Sequence, residues 1–277
     1  MYESRYVTVD GLRTRYLDHG QGPAVVLIHG GGSGTTADTF EHNIGPLASR
    51  GLRMIALDLP GHGTTDNPED YSAAYTRQFI VKFMDALGLD RASLVGHSLG
   101  GMLCAQLAFD YPHRVERLVV VATGRTMLPP AEGQVGDGAA PETVAAEPTL
   151  EDARKHMESL TFNQAYITDE LVERYHKTSL GKNFQATLAR QTTPPEPPPG
   201  PPMWQRLDKI PVPARFLYGQ QDRARTGERA LIAQRMYPGL DLHVFDGCKH
   251  NIMWDKPKEF DQLIAEVVLA GREAAVS

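Results

Sequence analysis

Gly96-His97-Ser98-Leu99-Gly100-Gly101 follows the apolar run Ala92-Ser93-Leu94-Val95 and precedes a stretch of small and apolar residues. A serine in Gly-x-Ser-x-Gly, set on a sharp turn between strand and helix, has its hydroxyl open to a cleft. It also lies beside the N–H groups of a helix N-terminus, the setting in which a weak alcohol becomes a nucleophile. The pentapeptide alone arises by accident in roughly one chain of this length in ten, given average glycine usage. Its meaning therefore depends on partners. A nucleophilic serine needs a base, and the base needs an orienting acid. In a strand–turn–helix setting they follow in the chain order Ser, Asp or Glu, His. Asp222 stands three residues beyond Gly219, at the end of an apolar run, and His250 follows the last one, in Asp246-Gly247-Cys248-Lys249-His250. Glu228 and Asp246 are rival acids. His97 adjoins Ser98, but neighbours on a turn point apart, so it is expected to pack and hydrogen-bond rather than act as the base. His29 and His62, which flank glycines, are expected to be structural.

Acyl transfer also needs two N–H donors for a developing oxyanion. Leu99, just after the serine, supplies one. The other comes from the loop His29-Gly30-Gly31-Gly32-Ser33-Gly34, with Gly31 or Gly32 as the donor. That loop lacks the Lys-Ser/Thr ending of a phosphate-binding P-loop and the Gly-x-Gly-x-x-Gly spacing of a dinucleotide fingerprint.

These groups must be held at strand ends, and the chain supplies the strands. Tyr6–Val9 and Leu12–Tyr16 flank Asp10-Gly11, a hairpin signal. Pro23–Ile28, Leu52–Asp58, Ala92–Val95 and Arg117–Val121 are apolar runs of buried strands. Tyr75–Leu87 and Leu99–Phe109 have helical spacing. Strand and helix alternate, which implies a doubly wound, mostly parallel, twisted sheet flanked by helices. After Ala122 the pattern breaks. Residues 128–148 look like a loop. Leu150–Leu160 and Asp169–Ser179 look like amphipathic helices, and the proline-rich stretch 194–202 looks like an extended polyproline connector. The sheet pattern resumes with a strand at Ala214–Gly219, a helix near Glu228–Met236, a strand at Leu242–Phe245 and a helix from about Lys258 to Ala270. The organisation is thus a core domain over 1–122 and 206–277, with an inserted helical cap over 123–205. An insertion of this kind covers the carboxyl ends of the strands, where ligands bind.

The chain has 277 residues, 41% of them hydrophobic and 22% charged, with a net charge of -6. That suits one large α/β domain with an insertion. A mild acidic excess without a basic run argues against nucleic acid as a partner. No apolar run reaches the ~18 residues of a membrane span, and no signal-peptide pattern opens the chain. The two cysteines, Cys104 and Cys248, form no disulfide framework and have no metal-ligand company, so a cytoplasmic setting and no metal are expected.

The stretches His29–Gly32, Asp58-Leu59-Pro60-Gly61-His62-Gly63, Gly96–Gly101, Tyr218-Gly219-Gln220-Gln221-Asp222 and Cys248-Lys249-His250 together resemble the α/β-hydrolase superfamily. Within it the chain is most similar to the meta-cleavage product hydrolases, on Gly30–Gly34, His42-Asn43-Ile44-Gly45-Pro46-Leu47, Pro148–Glu151, Ile167–Arg174 and Leu242–Cys248. Those enzymes break a C–C bond in the vinylogous diketo acids left by catechol ring cleavage. The resemblance implies the α/β-hydrolase fold with a helical cap. It also implies that Asn43 and Arg174 engage the polar, carboxylate end of a substrate, as an arginine fork suits a planar carboxylate. The chain departs from the family pattern at several places, the proline-rich stretch 194–202 among them. His97 stands where the family has Asn. Lys249 and Asn251 replace Gly and Trp around the histidine. Gly32-Ser33-Gly34 replaces Gly-Pro-Gly. Last, no tryptophan precedes Asn43. His97 and Asn251 therefore stand at positions that line the substrate pocket. The expectation is a cofactor-free serine hydrolase with a Ser98–His250–Asp222 triad, acting on a small-molecule substrate of the diketo-acid type. The alternatives are a carboxylesterase or lactonase on small esters, and a non-catalytic binding homologue. No membrane partner is expected, and a homodimer is left open.

Overall fold

In a computed structural model, residues 2–133, 144–194 and 200–271 are described. The expected loop and polyproline connector fall in large part on residues 134–143 and 195–199, which lie outside them. The chain opens with β1 (Arg5–Val9) and β2 (Leu12–His19), paired antiparallel across Asp10-Gly11, where both residues take positive φ. Then follow β3 (Ala24–Ile28), α1 (Glu41–Ala48), β4 (Arg53–Leu57), α2 (Ala73–Ala86), β5 (Ala92–His97), α3 (Leu99–Asp110) and β6 (Val115–Val121). Three helices intervene before the sheet resumes: α4 (Leu150–Leu160), α5 (Asp169–Thr178) and α6 (Lys182–Thr192). The last elements are β7 (Ala214–Gly219), α7 (Thr226–Met236), β8 (Asp241–Phe245), α8 (Ile252–Asp255) and α9 (Pro257–Leu269).

The eight strands form one sheet in the order β1-β2-β4-β3-β5-β6-β7-β8. From β4 to β8 every pairing is parallel, and β2 joins β4 antiparallel. The apolar runs are continuous because both faces are covered. Val26, Ile28, Ile55, Leu57, Leu118 and Val120 pack on the side of α2, α3 and α7. Their neighbours Val25, Leu27, Met54, Ala56, Val119 and Val121 pack on the side of α1, α8 and α9. This is the two-residue alternation of strand side chains. The sheet reverses direction of growth between β3 and β5, so the crevice beyond their carboxyl ends is the place where such sheets bind ligands.

Three helices carry no clear sequence signal: α1, α6 and the single turn α8. α1 contains Pro46, and burial of Asn43, Ile44 and Leu47 on its inner face outweighs the proline. α6 is a mostly polar segment whose contact face is only Asn183, Phe184 and Ala186. Among the described residues no helix is long and apolar enough to cross a membrane.

Candidate active site

Ser98 links β5 to α3 with φ 54 and ψ -115, a left-handed backbone that a non-glycine residue adopts only under constraint. The constraint is visible on both sides. The Ser98 N–H donates to the Val121 carbonyl at 2.8 Å, and the Thr123 hydroxyl donates to the Ser98 carbonyl at 2.9 Å. The motif glycines are there because nothing larger fits. A methyl on Gly96 would collide with the Gly100 carbonyl, and one on Gly100 with the carbonyls of Ile28 and His29. The turn is thus pressed against the end of β3, and Ser98 is pushed out at the carboxyl edge of the sheet.

His250 Nδ1 lies 2.9 and 3.1 Å from the two carboxylate oxygens of Asp222. Both side chains are almost wholly buried, at 7% and 2% exposed. The loops that carry them are stitched together. The Gln220 N–H donates to the Phe245 carbonyl at 2.8 Å, and the Gln221 N–H to the Cys248 carbonyl at 3.0 Å. In return the Cys248 N–H donates to Gln221 Oε1 at 3.0 Å. The rival acids lie elsewhere: Glu228 is paired with Arg225, and Asp246 accepts from the Gln221 amide.

The glycine loop after β3 runs beside the serine. A methyl on Gly30 would lie 3.3 Å from Ser98 Cβ, and one on Gly31 3.1 Å from the Leu99 side chain. Gly32 instead faces Thr35 and the Tyr175 hydroxyl. His29 anchors this loop. Its Nδ1 bonds the Gly30 carbonyl at 2.7 Å, and its Nε2 accepts the Leu59 N–H at 3.0 Å. Burial pushes His29 down to about 4, so it is a neutral strut. His62 packs edge-on against it and is pushed down by the same burial. Asp58 gathers the neighbouring loops, accepting from Arg15 at 3.1 Å and from the Ala37 N–H at 2.8 Å.

Ser98, Leu99, Gly30, Gly31, Asp222 and His250 all border one cavity of about 730 Å³. Its roof comes from the helices between β6 and β7, through Met157 and Leu160 of α4 and Tyr175 of α5. Trp254, held by a bond from Nε1 to the Thr39 carbonyl at 2.8 Å, closes another side. Neither Trp254 nor Tyr175 was foreseen. Both lie close in sequence to expected site residues, which is the only signal they carry.

The expected substrate-facing residues divide. Arg174 borders the cavity, but Glu41 of α1 holds its guanidinium, with Nη1 at 3.0 Å from Oε2 and Nη2 at 2.5 Å from Oε1. That hydrogen-bonded pairing raises the arginine further above its ordinary value. Asn43 does not face the cavity. It is fully buried between α1 and α9, where its amide donates to Asp261 at 2.8 Å. The position follows the inner face of α1, which points to the core. His97 and Asn251 do border the cavity. His97 is buried, and burial, with His250 adjacent, holds it well below the usual histidine value and hence neutral. Its Nε2 lies 3.2 Å from the His250 carbonyl. Among the described residues no three His, Cys, Asp or Glu side chains gather as metal ligands would.

Comparison with known proteins accords with this geometry. Residues 25–263 match the alpha/beta hydrolase family. A 2-hydroxy-6-oxononadienedioate/2-hydroxy-6-oxononatrienedioate hydrolase of Burkholderia vietnamiensis is 31% identical over 95% of this chain and 94% of its own. A 2-hydroxy-6-oxo-2,4-heptadienoate hydrolase of Pseudomonas putida is 30% identical over 96% of both. Among solved structures, a meta-cleavage product hydrolase from Pseudomonas fluorescens superposes with a TM-score of 0.78 at 27% identity, covering 98% of each chain.

Proposed function

The chain belongs to the alpha/beta hydrolase family, and from that premise we propose that it is a serine hydrolase cleaving a C–C bond in small diketo acids of the meta-cleavage type. The observation that carries the reading is Ser98 on its positive-φ turn, bordering the same cavity as the buried Asp222–His250 pair at 2.9 Å. His250, oriented by Asp222, takes the Ser98 proton as Oγ attacks a carbonyl carbon. The N–H groups of Leu99 and Gly31 hold the oxyanion, Gly31 being the loop residue that lies against Leu99. On collapse the C–C bond breaks, its electron pair passes into the conjugated carbonyl system of the departing fragment, and His250 returns its proton to that fragment, which leaves as the dienol acid. Resemblance to the family implies that His250 also assists protonation of the dienol before attack. Water, deprotonated by His250, then releases the acid from Ser98. The steps use only protein groups and water. The substrate class is supported by the names of the relatives and by Arg174 on the cavity wall.

One observation favours a second reading, a carboxylesterase or lactonase. Glu41 neutralises Arg174, and Asn43 is turned into the core, so the wall presents less charge to a carboxylate than the diketo-acid reading asks. Turnover of a meta-cleavage diketo acid against a p-nitrophenyl ester separates the two, and an inert diketo acid beside a good ester defeats the first. Treatment with a fluorophosphonate should add its mass to Ser98. Absence of the adduct, with full activity in Ser98→Ala, would overturn both. In Arg174→Ala, KM should rise for carboxylated substrates and not for neutral esters. Two buried free thiols fit a reducing cytoplasm as its setting.

A further inference from the structure

His97, Lys249 and Asn251 are among the residues around the site that depart from the family pattern, and each has a donor committed to something other than the cavity. His97 Nε2 lies 3.2 Å from the His250 carbonyl, and its ring packs edge-on against the His250 ring, with centroids 4.8 Å apart. As a neutral imidazole it donates that bond through Nε2–H. On the other side, Lys249 Nζ donates to the Glu158 carbonyl at 3.1 Å. The Asn251 N–H donates to the Leu160 carbonyl at 3.0 Å, and its amide to the Thr161 hydroxyl at 3.0 Å. Glu158, Leu160 and Thr161 make up the end of α4. The last carbonyls of a helix have no partners within it and carry its negative dipole end, so an ammonium and an N–H are suited to cap them. Asp255 adds a second tie, accepting from the N–H of Lys249 at 2.9 Å and from those of Phe162 and Asn163 at 2.9 and 2.8 Å.

We propose that His97, Lys249 and Asn251 are positioning residues that clamp His250 between the serine turn and the C-terminal end of α4. Asp222 fixes the far side of the imidazole ring, but it cannot fix the backbone from which the ring hangs. The two residues flanking His250 do that by binding the roof, and His97 does it from below by binding the His250 carbonyl. The position of the base is then tied to the position of the roof over the cavity. This rests on the reading of His250 as the base.

Lys249 is the discriminating site, because it does not border the cavity and touches no substrate position. In Lys249→Ala, kcat for p-nitrophenyl acetate should fall about ten-fold with KM unchanged. The second-order rate of fluorophosphonate labelling at Ser98 should fall in parallel, since both reactions need the base in place. Lys249→Arg, which restores a donor to the Glu158 carbonyl, should recover most of the loss. His97→Leu should show the same split of kcat from KM. A lowered melting temperature with kcat and labelling rate intact would reduce the contacts to structural ones and overturn the clamp. A change confined to KM would overturn it as well, by making these residues substrate contacts. Wild-type protein that takes no label would overturn the assignment of His250, and the clamp with it. Labelled wild type beside unaltered variants overturns the clamp alone.

Discussion

Asp261→Asn should stabilise the protein at neutral pH and leave it unchanged in acid. Asp261 is only 4% exposed, in the interface of α1 and α9, and it accepts a hydrogen bond from the Asn43 amide at 2.8 Å. Burial pushes its carboxyl up from 3.8 to about 6, with the Asn43 hydrogen bond offsetting part of the rise. The unfolded chain loses this proton near 3.8 and the folded one near 6, so between those values the folded state binds more protons. Stability therefore falls as pH rises through that window, and above it the full penalty persists. A displacement of about two pKa units corresponds to roughly 3 kcal/mol. For a protein of this size, that is on the order of 5 °C in melting temperature. The asparagine cannot ionise and keeps an acceptor for Asn43. It also brings an N–H to a place where, among the described residues, Asn43 Oδ1 is buried without a partner. Melting curves of both proteins from pH 4 to pH 8 should coincide at the acid end and diverge by about 5 °C at the neutral end. A difference that is constant across the series, or a variant less stable at pH 7.5, would refute the reasoning, because packing and not ionisation would then govern the site.

Glu41→Gln should release Arg174 from its ion pair. KM for a carboxylated substrate should then fall by about three- to ten-fold, read from steady-state kinetics. An equal change for a neutral ester would show that Arg174 does not serve the carboxylate. Gly100→Ala drives a methyl into the carbonyls of Ile28 and His29, and overpacking of this kind costs about 1–3 kcal/mol. A denaturant midpoint unchanged from wild type would mean that the turn is not pressed against β3. Cys104 and Cys248 are both fully buried, and burial pushes both thiols far up. Ellman's reagent should find no fast-reacting thiol in the native protein and two after unfolding, and a fast native equivalent would contradict that burial.

What the sequence by itself determined is what short-range chemistry dictates. Ser98 and its turn follow from Gly96 and Gly100, because the approach of backbone to backbone leaves no room for a side chain. The strands from β3 to β7 follow from apolar runs that only a sheet covered on both faces can bury. Asp222 and His250 follow from their places just after β7 and β8. Other features depend on residues far apart in the chain, and these only the tertiary structure decided. Arg174 lies 133 positions from the Glu41 that holds it. Asn43 lies 218 positions from the Asp261 that turns it into the core. Nothing local to α1 says that its inner face will meet α9, and nothing local to Lys249 says that the end of α4 will stand above it. A single side chain has several partners it could satisfy equally well. Which one it takes is settled by the packing of whole elements, whose buried area outweighs any one hydrogen bond.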